Sequence, residues 1–375
     1  MYVIKLFKNK IHNNKYYMNK DIPEKILKIN KKIQSHLSKD ICHGFASAPS
    51  NIALIKYWGK IPNRLQQPEN SSISLTLGDL RTETSITLKK DSKKTITINN
   101  KNFSPKIQNY IQHISFLEDF SFEITTNNNF PTACGFASSA SGFAALSGSI
   151  ASALDLKNII DFDDMNYWIT QYARIGSGSA IRSALFDCNT PFIIWQKPSQ
   201  SLNEFSEVFN LQNYDSKWNE IGTISLVFDS EKKKVSSSDG HSDAPSSPLY
   251  NIRKISSEKS IELLLLALQN YDWDLFSYIV EADSYMLHAI MQTSKNPTVY
   301  IDHNISTILQ SINTLKKKLS FPFCWTMDAG KNIHIITMKN NILQFETEIK
   351  KIIETLDTIK LLNSIINTSH KNLIF

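Results

Sequence analysis

The chain has 375 residues, 41% of them hydrophobic, and a formal net charge of +6, which is enough for one large or two ordinary domains with real cores. No apolar run reaches the ~18–20 residues needed to span a bilayer, and the start, MYVIKLFKNK, lacks the apolar h-region and small-residue cleavage site of a secretory signal. Four scattered cysteines (Cys42, Cys134, Cys188, Cys324) form no CxxC, which argues against a disulfide framework or metal knuckle and for a reduced, cytoplasmic setting.

The positive charge is local. Residues 1–40 hold ten lysines and three acids, +7 against +6 for the whole chain, so the body carries −1. A basic pI is then no argument for nucleic acid binding. The leader is expected to be a solvated basic extension with a weak helical pattern around Ile26–Leu37, and Met18 is an alternative start. A transit peptide would be richer in Arg and Ser.

Residues 41–59 read as an extended apolar segment with an irregularity at Pro49 and Asn51, followed by the polar loop IPNRLQQPENSS. The β-branched, alternating runs SISLTL (72–77), TSITL (84–88), TITIN (95–99) and SFEITT (121–126) predict strands, with a helix between the last two at 106–119. From Ala137 to Leu154 the chain is dense in Ala, Ser and Gly but keeps helical spacing through Phe143, Leu146 and Ile150, which predicts a buried helix closely approached by other backbones. MNYWITQYARIGSGSAIRSALF predicts two short helices around a glycine loop. Strands follow at FIIWQ (192–196) and ISLVFD (224–229), then amphipathic helices at 260–270, 274–291 and 302–318. CWTMD and NIHIITM predict strands around a turn at Ala329–Gly330, and 342–356 a last helix. Strands and helices mix without regular βαβ repetition or internal repeat, so the fold class is α+β.

Four segments are candidates for chemistry. In PTACGFASSASG (131–142) a Gly/Ser loop opens a helix, whose free N–H groups and dipole attract phosphate. No GxxxxGK[ST] is present, so this is not a Walker loop, and a tightly packed Ala/Ser helix is the structural alternative. In ARIGSGSAIRS (173–183) two glycines separate two serines, and Arg182 offers a planar fork for a carboxylate or phosphate. A plain glycine hinge with a surface arginine would look the same. In SAPSNIALIKYWGK (47–60) Lys56 lies in an apolar stretch where an unpaired ammonium is costly, so it requires an acidic partner. In FCWTMDAGKN (323–332) Asp328 ends an apolar strand at a fixed turn, which suits a base or an orienting group as well as an ordinary turn aspartate. The polar loop VSSSDGHSDAPSSP (235–248) could grip phosphate or be a flexible linker. Asp283 and His288 read as structural, and nine scattered histidines form no zinc pattern.

Together and in this order, SAPSNIALIKYWGK, NSSISLTL with DLRTETS, PTACGFASSASGFAAL, ARIGSGSAIRS and TMDAG resemble the diphosphomevalonate decarboxylases of the GHMP kinase superfamily, from about Ala46 to beyond Ile336. The resemblance implies an α+β GHMP fold: a basic extension (1–40), a ribosomal-protein-S5-like ATP-binding domain (41–217) and a ferredoxin-like domain (218–375), usually in a homodimer. It implies ATP and Mg²⁺ as cofactors, a phosphorylated mevalonate as substrate, and ATP-dependent decarboxylation of mevalonate 5-diphosphate to isopentenyl diphosphate in isoprenoid biosynthesis. Asp328 and Lys56 fall on the family's catalytic pair, and Arg182 on its carboxylate ligand. Tyr57, Lys60, Ser177, Gly178, Ser179, Ser237 and Ser238 fall on substrate positions. Gly135, Ala137, Ser138 and Ser139 fall on the ATP phosphate loop, with Ser138 and Ser139 near the metal. Ser238 stands where family members usually carry an arginine or a different polar residue, and Lys331 replaces a usual proline. These departures keep open a decarboxylase of the 5-phosphate. A 3-hydroxyl kinase without decarboxylation is a further alternative, against which the retained Lys56 and Asp328 speak.

Overall fold

Two long strands, one apolar and small-residue-rich and the other rich in β-branched residues, organise the first half of the chain. The computed structural model describes residues 22–91, 93–102, 105–130, 138–186, 190–199, 204–228, 236–355, 361 and 363–375. Within it, β1 (Ile41–Ile55) and β2 (Ser72–Lys90) pair antiparallel along almost their whole length. Two strands were expected at 72–77 and 84–88. They are one strand, because β1 is long enough to pair with both, and Gly78–Leu80 bulge out where the register shifts at Pro49/Ser50. Pro49 has no N–H to give the ladder, which is why the irregularity falls there.

The sheet is completed by β3 (Ile96–Ile98), β4 (Lys101–Asn102), β5 (Phe120–Asn128), β6 (Phe192–Gln196) and β7 (Glu207–Asn210), in the order β4-β3-β5-β2-β6-β7 with β1 also on β2. Its helices are α1 (Glu24–His36), α2 (Pro105–Gln112), α3 (Ser138–Ala153), the single turn α4 (Leu156–Ile159) and α5 (Phe162–Gly176). The small residues of α3 let it lie directly on the sheet. A Cβ on Gly44 would come within 2.1 Å of the Ser149 carbonyl oxygen, so only glycine permits that approach. The two short helices expected around the glycine loop are α5, a full fifteen residues, and a 3₁₀ segment Gly178–Ser183.

The leader corrects an expectation. Residues 24–36 are not solvated: Ile26, Ile29 and Ile33 are buried in the first unit's core. Asn30 accepts from Trp168 Nε1 at 2.8 Å and donates to Tyr172 Oη at 2.7 Å, which fastens α1 to α5. The apolar face repeats at i, i+3, i+7, and the lysines occupy the other side.

The second half forms an antiparallel sheet, β11-β8-β10-β9, from β8 (Ile221–Val227), β9 (Phe323–Thr326), β10 (Ile333–Met338) and β11 (Asn363–Asn367). Its helices are α6 (Ser237–Asp243), α7 (Tyr250–Asn270), α8 (Trp273–Thr293), α9 (His303–Lys318) and α10 (Ile342–Glu354). Isoleucines of α9 and α10 bury against this sheet. Leu264 of α7 and Phe276 of α8 join a cluster that reaches from Cys324 and Ile336 to Leu54, Ile73 and Phe192 of the first sheet. The two halves therefore share a core. Residues after β11 return to the first unit: Ile374 exchanges backbone hydrogen bonds with Ser47 at 2.9 and 3.0 Å, Leu373 is fully buried, and Phe375 stacks on Phe186. No helix among the described residues is long and apolar enough to cross a membrane.

Candidate active site

β1 ends at Ile55, and the next residue carries its charge into the seam between the units. Lys56 is buried, and its Nζ donates to Ala53 O and to Asp328 Oδ1, each at 2.7 Å. The acidic partner that the sequence required is the aspartate of the DAG turn. Both residues are held by backbone. The Lys56 N–H donates to Asp283 Oδ2 at 2.8 Å, and its carbonyl accepts from Asn70 Nδ2 and Arg253 Nη2, each at 2.9 Å. Asp283 in turn is ion-paired with Arg253, both fully inside. The Ser284 hydroxyl accepts from Met327 N at 2.9 Å and donates to Met327 O at 3.2 Å, fixing the residue before Asp328. Asp283, read from the sequence as structural, is the residue that sets where Lys56 begins.

The pair opens into a cavity of about 410 Å³. Its walls contain Lys56, Tyr57, Lys60, Ser139, Ser177, Gly178, Ser179, Arg182, Ser237, Ser238 and Asp328, so segments far apart in sequence converge on one space. Among the described lining residues there are four cations, Lys56, Lys60, Lys106 and Arg182, and one acid, Asp328. Such a surface favours a polyanion. Gly135 and Ala137 lie outside the described residues. Ser138 and Ser139 open α3, and both line an adjoining cavity of about 320 Å³ that Lys106 shares. Ser139 Oγ lies 3.3 Å from Ser177 Oγ, which brings the expected phosphate loop against the expected substrate loop.

Arg182 is held flat. Nη1 donates to Ser72 Oγ at 2.6 Å, and Nε and Nη2 reach Asn51 Oδ1 at 3.4 and 3.3 Å. Trp195 lies beneath, 5.8 Å from the guanidinium. Burial pushes its pKa down to about 10, against the pull of Asp328 and Tyr57. These hydrogen bonds go to neutral oxygens, so its charge is available to an anion. Tyr57 packs edge-on against Trp195 with its hydroxyl buried and without a hydrogen-bond partner among the described residues. Burial also raises its pKa, so the hydroxyl is a donor. A buried, unpaired donor in a cavity wall is a position for a ligand oxygen. Burial lowers the pKa of Lys60 and of Lys106.

The segment at 235–248 is not a linker where it is described. Ser236 caps α6, its Oγ accepting from Asp239 N at 3.1 Å, and the first turn faces the cavity. Of the two departures from the family pattern, Ser238 lines the cavity, whereas Lys331 pairs with Asp302 at 3.0 Å. Lys106, Asn51 and His241 also line the cavity and were not among the individual site residues read from the sequence. Lys106 had one signal: a cation in the first turn of a helix opposes the helix dipole and requires another reason to be there.

The residues present fit a magnesium–nucleotide complex. Among the described residues no group of three or more His, Cys, Asp or Glu could hold a metal by itself. The hydroxyls of Ser138 and Ser139 at a helix start suit a cation whose other ligands are phosphate oxygens and water.

Comparison with known proteins agrees with this geometry. Residues 48–204 match the diphosphomevalonate decarboxylase-like N-terminal domain, and residues 223–373 match the mevalonate 5-diphosphate decarboxylase C-terminal domain. The diphosphomevalonate decarboxylase of Debaryomyces hansenii is 32% identical over 320 residues, covering 79% of each chain. That of Candida albicans is 31% identical, covering 76% of this chain and 82% of its own. Among solved structures, mevalonate diphosphate decarboxylase from Staphylococcus aureus superposes with a TM-score of 0.75 at 30% identity, covering 89% of this chain and 98% of its own. MDDEF in complex with MVAPP, AMPPCP and magnesium gives 0.76 at 27% identity, with the same coverage. With its cationic cavity, its Lys56–Asp328 pair and both domain families matched in order, the chain belongs to the diphosphomevalonate decarboxylase family.

Proposed function

We propose that the cavity binds mevalonate 5-diphosphate and ATP, and that the chain is an ATP-dependent carboxy-lyase that releases isopentenyl diphosphate, ADP, phosphate and CO₂. The observation that carries this reading is the Lys56–Asp328 pair at 2.7 Å in the wall of a cavity with four cations. The substrate's tertiary hydroxide is a poor leaving group, and ATP supplies the phosphoryl group that makes it a good one. Departure of that phosphate with CO₂ leaves a carbon–carbon double bond, the electrons of the breaking C–C bond forming the alkene. The protein's task is alignment and charge neutralisation.

In this reading Asp328 orients the hydroxyl and accepts its proton, and Lys56 fixes the carboxylate. Arg182 holds the substrate carboxylate. Tyr57, Lys60, Ser177, Gly178, Ser179, Ser237 and Ser238 hold the phosphate end. Gly135, Ala137, Ser138 and Ser139 hold the nucleotide phosphates, with magnesium at Ser138 and Ser139 spreading the phosphate charge. Lys106, on the rim shared by both cavities, adds a contact to one of the two anions. The same reading puts the boundary between the two domains at 217/218, with α1 and residues 370–375 packed on the first, places the chain in the cytoplasm, and makes it a homodimer.

The test is stoichiometric. The protein is given ATP, Mg²⁺ and, separately, mevalonate, its 5-phosphate or its 5-diphosphate, and ADP, phosphate and CO₂ are quantified. Equal amounts of all three with the diphosphate alone are expected. The same stoichiometry with the monophosphate moves the substrate, and ADP without CO₂ overturns the roles given to Asp328 and Lys56.

A further inference from the structure

His241 has no part in the roles above. Its imidazole forms part of the cavity wall on α6, 8% exposed, tilted against the rings of Tyr57 and Trp58 with centroids 4.3 and 4.5 Å away. The backbone N–H of Gly59 donates to its Nδ1 at 3.0 Å. A nitrogen that accepts carries no proton, so the ring's proton sits on Nε2 and makes that atom a donor.

The junction leaves no slack for another arrangement. Gly59 has φ +109°, and a Cβ there would meet the Tyr250 ring, while a Cβ on Gly240 would come within 2.7 Å of Trp58. Ring orientation and tautomer are therefore fixed by packing before any ligand arrives. Burial, then the charges of Lys60 and Arg182, hold the imidazole well below the usual histidine pKa. The group is neutral at neutral pH.

Neutrality matters where four cations already share a cavity. A further cation raises the cost of assembling the empty site, whereas a neutral donor adds a hydrogen bond without adding charge. Position 238, one turn before His241, carries a serine. We propose that His241 is a specificity residue whose Nε2–H donates to the terminal phosphate of a diphosphate substrate, a contact a longer side chain at position 238 could otherwise supply. Its neighbours Gly59 and Lys60 and the first turn of α6 lie at the end assigned to the phosphates, and in that assignment the inference rests on the function proposed above.

The experiment is calorimetric titration, without nucleotide, of the wild type, His241→Asn and His241→Gln with mevalonate 5-diphosphate and with the 5-phosphate. Asparagine keeps an acceptor for Gly59 and withdraws the cavity donor. Glutamine restores a donor near the Nε2 position. The expected result is a Kd for the diphosphate weakened about tenfold or more in the asparagine variant and within about threefold of wild type in the glutamine variant, from the loss and return of one hydrogen bond to a charged group. The Kd for the monophosphate should change by less than about twofold in either, since that ligand lacks the terminal phosphate. Wild-type diphosphate binding in His241→Asn, or equal weakening for both ligands, overturns the proposal. A wild type that shows the predicted binding pattern but releases no CO₂ overturns the decarboxylase reading and leaves His241 standing, and one that binds neither ligand overturns both.

Discussion

Asp283 accepts the backbone N–H of Lys56 at 2.8 Å from a helix 227 residues further along the chain. Arg253 closes the triangle by pairing with Asp283 and donating to the Lys56 carbonyl. The site lysine therefore belongs to the first unit by sequence and to the second by hydrogen bonding. Removing Asp283 would strand a buried guanidinium. Asp283→Ala is expected to lower stability by about 3–5 kcal/mol, read as a shift in the urea midpoint, while the double variant Asp283→Leu/Arg253→Met recovers most of it. A single variant within about 1 kcal/mol of wild type would show that the pair is not what holds Lys56.

Asp328→Asn keeps the shape of the DAG turn and removes the carboxylate proposed to receive the proton. Release of CO₂ from mevalonate 5-diphosphate should fall by about 10²–10⁴-fold, with the Kd of the diphosphate within a few fold. Single-turnover assays with equilibrium binding measure both. Turnover near the wild-type rate would refute the role of Asp328.

Arg182→Lys preserves charge and loses the fork. One ammonium cannot reach Ser72 and Asn51 and still face a carboxylate as the guanidinium does. Each lost charge-assisted hydrogen bond amounts to about 1.5–3 kcal/mol, so kcat/KM should drop by at least about tenfold. An unchanged kcat/KM in the lysine variant takes Arg182 out of carboxylate recognition.

His288 gives a pH signature. Burial, reinforced by Lys56 and opposed by Asp328, pushes its pKa down to about 4 from 6.5. Between these values the unfolded chain binds a proton that the folded protein refuses. Its contribution is therefore whole above pH 6.5 and is lost as pH falls through the window, levelling below about 4. From pH 7 to 5 this single group should account for about 2 kcal/mol. Urea unfolding at both pH values compares wild type with His288→Leu, which should lose correspondingly less. An identical pH dependence in the two proteins sinks the assignment.

The parts of the site that were legible in the sequence are those whose chemistry is local. Lys56 stood out as an ammonium in an apolar run, Asp328 as an acid at a strand end, and Arg182 as a fork beside a glycine loop; all three line one cavity. The illegible parts depend on tertiary packing. His241 lay in a polar stretch without a pattern, and only the Tyr57–Trp58–Gly59 turn gives its ring a tautomer. The continuity of β2 depends on the length of its partner β1, which no window over 72–88 contains. β7 and β11 are edge strands that lack the continuous apolar run which marked β6 and β9. Helix α1 had a weak apolar repeat, and its burial follows from the partners that Trp168 and Tyr172 supply.

The return of residues 370–375 to the first unit affects the order in which the molecule can be made. On a ribosome, the N-terminal sheet emerges long before Leu373 and Ile374, yet its edge at Ser47 and the core beneath α3 are closed by those two residues. The first unit must wait, incompletely sealed, until the second has been synthesised.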